Sequence, residues 1–221
     1  MLYEAVIFDL DGTLIDSLDD LADSANEMLE SYGYPIHAVE KYRIMVGNGS
    51  KKLMQRCLPE GLDDQQIESA LAKYKNIYER RFLEKTRSYE GILTLLHELR
   101  IKNIPLAVCT NKHSEAAHTL VEVLFEENTF IEVVGDTNGM LKKPDPANVL
   151  AIAKRMGICP ERVAYLGDSM VDMQTAVNAH MLPVGVLWGF REEKELLDNG
   201  AKVILHHPAE LFEKVKFIEA E

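Results

Sequence analysis

From about residue 91 to residue 205, helix-patterned segments alternate with short apolar runs, and few folds accept that arrangement. The runs are Pro105-Leu106-Ala107-Val108-Cys109, Ile131 to Val134, Val163-Ala164-Tyr165-Leu166, Pro183 to Leu187 and Val203-Ile204-Leu205. Helical spacing occupies about 91–102, 114–125, 147–156 and 169–179, a further stretch before Val203, and a closing stretch at 209–217. Strands separated by single helices of this length imply right-handed crossovers and a parallel sheet. Ala5-Val6-Ile7-Phe8 adds one more buried strand near the N-terminus. The expected class is α/β, with a Rossmann-like parallel-sheet core.

Between the first strand and this repeating pattern lies a block of different character. Leu18, Leu21, Ala22, Ala25, Met28, Leu29 and Tyr32 recur at helical spacing from a start at Asp16-Ser17, with Gly33 as the stop. A short helix is expected after Gly49, and Asp63-Asp64 opens another with Ile67, Leu71, Tyr74, Tyr78 and Phe82 on one face. No strand pattern occurs from Ser17 to about Arg81. The expected organisation is a discontinuous core of residues 1–15 and 86–221, with residues 16–85 inserted as a helical domain.

In an open parallel sheet, sites form beyond the carboxyl ends of strands where the strand order reverses. The first strand ends in Asp9-Leu10-Asp11-Gly12-Thr13-Leu14, and residues two apart on a strand share a side. The next strand is followed by Thr110-Asn111, a pair that caps helices well or binds an anion. A loop from Gly135 to Leu141 leads into Lys142-Lys143-Pro144-Asp145-Pro146. Val163 to Leu166 is followed by Gly167-Asp168, with Asp172 one helical turn later. Polar groups thus collect at the rim where sheet geometry places a site.

Asp9, Asp11, Asp168 and Asp172 are hard oxygen donors without His or Cys partners, a set that favours Mg²⁺ shared with a substrate phosphate. A hydroxyl at Thr110 and a cation at Lys143 suit the oxygens of a transferring phosphoryl group. A carboxylate in such a site can attack phosphorus, and a second acid two residues on can handle the proton. His113, His118, His206 and His207 lack metal-ligand spacing, and Trp188 reads as a packing group. Gly47-Asn48-Gly49-Ser50 with Lys51 and Lys52 reads either as an anion-binding loop or as a helix start with a solvated basic face.

Composition narrows the partners. The 221 residues carry a net charge of −12, which disfavours nucleic acid and anionic membranes. Cys57, Cys109 and Cys159 form no CxxC pair and fit a reducing compartment. Neither a signal-peptide pattern nor an apolar run of ~18 residues appears, so a soluble cytoplasmic protein, monomer or homodimer, is expected.

Asp9-Leu10-Asp11-Gly12-Thr13-Leu14, Thr110-Asn111, Lys143-Pro144-Asp145-Pro146 and Gly167-Asp168-Ser169-Met170-Val171-Asp172 resemble, in order, the four motifs of the haloacid dehalogenase superfamily. The resemblance spans nearly the whole chain. It implies Asp9 as nucleophile, Asp11 as general acid/base, and Thr110, Asn111 and Lys143 around the phosphate. It implies Mg²⁺ held by Asp9, the Asp11 main-chain carbonyl and Asp168, with Asp172 either ligating or supporting. True dehalogenases lack the second acid of the first motif, so Asp11 points to phosphoryl transfer through an aspartyl-phosphate. The helical insert resembles the cap of one subgroup. Val46-Gly47-Asn48-Gly49 and Gly185-Val186-Leu187-Trp188-Gly189-Phe190 resemble stretches of phosphoglycolate phosphatases. The implied activity is a Mg²⁺-dependent phosphatase acting on a small phosphorylated metabolite. Its rivals are a sugar-phosphate mutase of the β-phosphoglucomutase kind, a pyrophosphatase, and a non-catalytic phospholigand-binding protein.

Overall fold

The computed structural model describes residues 2–137 and 141–218. In chain order its strands are β1 (Ala5–Phe8), β2 (Ile15–Asp16), β3 (Arg87–Ser88), β4 (Leu106–His113), β5 (Glu132–Asp136), β6 (Val163–Gly167), β7 (Leu182–Val186) and β8 (Val203–Leu205). Six of them form one sheet in the order β5-β4-β1-β6-β7-β8, with every pairing parallel. The chain moves outward from β1 through β4 to β5, then returns to the other side of β1 at β6. The strand order therefore reverses around β1, where a ligand crevice is expected in this class of sheet.

The sheet is buried on both faces, and β1 shows why its sequence is uniformly apolar. Val6 and Phe8 join one cluster with α5 (Ile92–Ile101) and α6 (Ser114–Leu124). Ala5 and Ile7 join a second with α7 (Ala147–Met156) and α8 (Met170–Asn178). Alternate side chains of one strand thus serve two helical layers, the arrangement that makes a parallel strand apolar throughout. α9 (Glu193–Asp198) and the short α10 (Leu211–Lys214) complete the core.

The helical insert holds α1 (Leu18–Ser31), α2 (Val39–Met45), α3 (Ser50–Cys57) and α4 (Asp64–Arg81), which pack around a hydrophobic cluster of their own. α4 starts with a reciprocal capping box, in which Asp63 accepts from the Gln66 N–H and Gln66 accepts from the Asp63 N–H. The two chain crossings into and out of the insert are tied together by the antiparallel β2–β3 ribbon. Fully buried Asp20 reinforces the junction by accepting from the Lys85 and Thr86 N–H groups and the Thr86 hydroxyl.

Three local expectations change. The strand expected to end at Cys109 continues to His113, so Thr110 and Asn111 lie in β4 and do not cap a helix. Gly135 and Asp136, expected in a loop, belong to β5, while residues 138–140 of that loop lie outside the described residues. Ser17 precedes α1 but does not cap it, because its hydroxyl turns to Asp11.

Candidate active site

The site forms where β1, β4 and β6 end side by side. Just past β1 the chain turns so that the Leu10 carbonyl accepts from the N–H groups of Thr13, Leu14 and Ile15. Gly12 makes that turn with φ +82°, and a Cβ there would lie 2.3 Å from Asp168 Oδ2. Only glycine lets the Asp9–Asp11 loop pass so close to the acid of the neighbouring strand.

Asp9, Asp168 and Asp172 are all buried and bring ligand-capable oxygens within 4.8 Å of one another. Lys143 enters the same space, with Nζ 2.8 Å from Asp9 Oδ1 and 2.7 Å from Asp172 Oδ1. Its geometry leaves Asp9 Oδ1 without a hydrogen bond although the charges are in contact. Asp172 is fully engaged. Its Oδ1 accepts from Lys143 and the Tyr165 hydroxyl, and its Oδ2 accepts from the Ser169 N–H and hydroxyl. Of the two roles open to Asp172, this saturation favours holding Lys143 and the start of α8 over direct ligation.

Three carboxylates face one ammonium in a buried space. Burial and the charge of Asp172 push the Asp9 carboxyl up to about 7, against the opposing pull of Lys143. Burial, Asp172 and Asp9 together raise Asp168 well above the carboxylate range. Lys143 stays firmly charged, because Asp172 and Asp9 outweigh the cost of burying it. An all-oxygen donor set of three buried carboxylates, whose ionised forms are costly to bury with a single ammonium, fits a hard divalent cation such as Mg²⁺.

Asp11 stands slightly apart. Its Oδ1 accepts from the Ser17 hydroxyl at 2.6 Å and from Lys112 Nζ at 2.8 Å. Lys112 is a residue the motif reading missed. It is buried, donates to the Tyr78 hydroxyl of α4 at 2.6 Å, and lies 4.8 Å from the centre of that ring. Nothing in the sequence pattern marked it, since the register of β4 shifts between Cys109 and His113 and four successive residues from Thr110 to His113 line the same cavity. Burial keeps the Tyr78 hydroxyl protonated.

Asn111 acts as a brace. Its side chain accepts from the Lys143 N–H at 3.0 Å and donates to the carbonyls of Lys143 and Gly47, each at 3.2 Å. Thr110 lines the cavity, and its hydroxyl accepts from the Lys112 N–H. Lys142, next to Lys143 in the chain, instead pairs with Asp136 at the surface. Lys51 likewise pairs with Glu68, so the basic side of α3 is a solvated face.

A cavity of about 90 Å³ opens between Asp9, Asp11 and Thr110 on the core and Leu53, Tyr74 and Tyr78 on the insert. A nucleophile-capable carboxylate, a second acid, a hydroxyl and Lys112 thus line one partly enclosed space, with Lys143 against Asp9 beside it. This is a set suited to phosphoryl transfer.

Comparison with known proteins agrees. The sequence pattern of the haloacid dehalogenase-like hydrolases matches residues 6–186. A phosphoglycolate phosphatase of Pseudomonas putida is 35% identical over 196 residues, which cover 86% of this chain and 72% of that protein. One from Chromobacterium violaceum is 32% identical and covered to 96% of both chains. A solved structure from Lactobacillus delbrueckii subsp. bulgaricus superposes with a TM-score of 0.90 at 32% identity, covering 96% of this chain and 98% of that one. A haloacid dehalogenase-like family hydrolase from Streptococcus pneumoniae superposes with a TM-score of 0.85 at 25% identity, covering 96% and 97%. The four rim motifs, the parallel sheet that gathers them and these relatives agree: the chain belongs to the haloacid dehalogenase-like hydrolase family.

Proposed function

We propose that this protein is a Mg²⁺-dependent phosphatase that hydrolyses a small phosphomonoester through an aspartyl-phosphate on Asp9. The observation that carries this reading is the placement of Asp9 at the reversal point of the sheet. Lys143 and Asp168 lie beside it, and Asp11 faces the same cavity. A non-catalytic phospholigand-binding protein would have no use for two acids so arranged.

Asp9 supplies the attacking oxygen. Lys143 and Thr110 meet the oxygens of the phosphoryl group, and Asn111 fixes Lys143 through its main chain. Asp9, Asp168 and the Asp11 main-chain carbonyl would hold Mg²⁺, with Asp172 behind them. Bound there, Mg²⁺ neutralises charge on the phosphoryl oxygens and keeps Asp9 ionised. Asp11 donates a proton to the leaving oxygen, then takes one from the water that cleaves the aspartyl-phosphate. Ser17 and Lys112 orient its carboxylate. The helical insert acts as a cap, excluding water and supplying the walls of the substrate space.

The small cavity supports a small substrate, and Lys112 and Lys75 in its lining support one with a second anionic group. Phosphoglycolate meets both conditions, and it is the substrate named for the Pseudomonas and Chromobacterium relatives. Phosphate release is measured for phosphoglycolate, a hexose 1-phosphate, pyrophosphate and an aryl phosphate, each with Mg²⁺ and with chelator. The expected result is Mg²⁺-dependent release with phosphoglycolate preferred. Isomerised hexose phosphate without free phosphate would establish the mutase instead, preference for pyrophosphate the pyrophosphatase, and binding without turnover the non-catalytic reading.

A further inference from the structure

One segment of the core reaches both the acid cluster and the interior of the helical insert. It is the four-residue strap that follows β7, Trp188-Gly189-Phe190-Arg191. Trp188 anchors it by donating from Nε1 to the Thr13 carbonyl of the Asp9 loop at 2.9 Å. Gly189 then passes through a gap that excludes a side chain, since a Cβ there would lie 2.2 Å from the Gly12 carbonyl oxygen and 2.4 Å from Asp168 Cβ. The Phe190 N–H donates to Asp168 Oδ2 at 2.7 Å.

The Phe190 side chain leaves the core altogether. It is buried in the cluster of the insert, whose other buried members, among the described residues, all lie between Leu18 and Tyr78. The insert grips the same strap in return. Arg43 of α2 donates to the carbonyls of Gly189 at 2.5 Å and Phe190 at 3.3 Å, and Arg191 donates to the Val46 carbonyl at 2.9 Å. The backbone that orients Asp168 is therefore fixed to the insert by the Phe190 side chain and three hydrogen bonds.

We infer that Phe190 is a positioning residue for Asp168, so that divalent-cation affinity depends on the helical insert being seated on the strap. The inference rests on the assignment of Asp168 as a metal ligand. Its physical basis is that a hydrogen-bonded carboxylate keeps one rotamer, and the donor here moves with whatever holds Phe190. Coupling of this kind is reciprocal, so the cation in turn steadies the insert.

The test is Mn²⁺ binding to the full-length protein, followed by the electron paramagnetic resonance of the free ion. Hydrogen exchange across residues 42–49 serves as the second readout. Phe190→Ala should weaken Mn²⁺ binding by roughly tenfold, the size found when a partner of a ligating carboxylate is lost. Phe190→Leu should recover most of the affinity. Arg43→Gln leaves no cavity and loosens the same strap from outside, so it should weaken binding in the same direction even if Phe190→Ala folds poorly. In the wild type, Mn²⁺ should slow exchange at 42–49, and in Phe190→Ala it should not. Wild-type affinity in Arg43→Gln and Phe190→Ala, alongside faster exchange at 42–49, would overturn the coupling and leave Phe190 a packing group. Asp168→Asn is the control. Unchanged Mn²⁺ binding in that variant would overturn the metal assignment itself, and the inference with it.

Discussion

Two buried lysines flank the Asp9–Asp11 pair, and they are held in different ways. Lys143 meets Asp9, Asp172 and Tyr165, all from the sheet and its helices. Lys112 meets Asp11 from the core but Tyr78 from the helical insert. The contacts that Lys143 makes beside the nucleophile lie within the α/β core alone. Those that Lys112 makes beside the proton-handling acid are complete only where the insert packs against β4. On the proposed mechanism, attack on phosphorus and proton transfer thus have different structural dependencies, and substitutions can separate them.

The largest effect belongs to the core side. Asp9→Asn should abolish turnover while circular dichroism and the melting curve show an intact fold. Lys143→Met follows. Removing one partner of a buried ion pair leaves Asp172 uncompensated, so it should cost about 3 kcal/mol of stability in denaturant titration and lower kcat by roughly a hundredfold or more. Lys112→Met should be milder, because Asp11 is partly exposed and keeps its bond to Ser17. We expect a loss of order tenfold in kcat, less than the roughly hundredfold or more that a complete loss of proton transfer would cost, with little change in melting temperature. If Lys112→Met destabilised the protein as much as Lys143→Met, the contrast between the two lysines would fail. Tyr78→Phe should have a smaller effect still, a change of a few-fold in kcat/KM read from steady-state kinetics. It removes one acceptor for Lys112 and keeps the ring beneath its ammonium.

A pH-dependent prediction sharpens the core side further. Burial and Asp172 raise Asp9 from an ordinary 3.8 to about 7, so between those values the folded protein holds a proton that the unfolded chain has released. Stability of the metal-free protein should therefore fall as pH rises through this window. A divalent cation binds the bare carboxylates, so the rise in melting temperature on adding Mg²⁺ should be larger above about pH 7 than below it. A Mg²⁺ shift that shrinks as pH rises would contradict this account of Asp9.

What could be read from the sequence follows the same division. β8, α7 and most other core elements lie close to where periodicity placed them, because each buries its own apolar face. Asp9, Asp11 and Asp168 were legible for a related reason, since each stands at or just past the end of an apolar run, whereas Lys143 was legible through its motif, Lys143-Pro144-Asp145-Pro146. β4 was cut short at Cys109 because Thr110-Asn111-Lys112 is polar, yet all three residues are buried. A distant segment covers them, and hydrophobic patterning within a window cannot register that cover. α2 was missed for want of a clear apolar face, as Tyr42 is its one buried residue. β2 and β3 have two residues each, too few for any period to show. Phe190 entered the sequence reading only as the end of a stretch resembling phosphoglycolate phosphatases, and only the three-dimensional path of its strap joins it to the insert.

The central claim is that Asp9 carries the phosphoryl group during turnover. An aryl phosphate with a good leaving group needs little protonation from Asp11, so an Asp11→Asn variant should form the aspartyl-phosphate and lose it slowly. Acid quenching of that variant with radiolabelled aryl phosphate and Mg²⁺, followed by peptide mapping, reads the claim directly. The account predicts label on the peptide containing Asp9, and none when Asp9→Asn is added. Label on another residue, or label that survives Asp9→Asn, would contradict it.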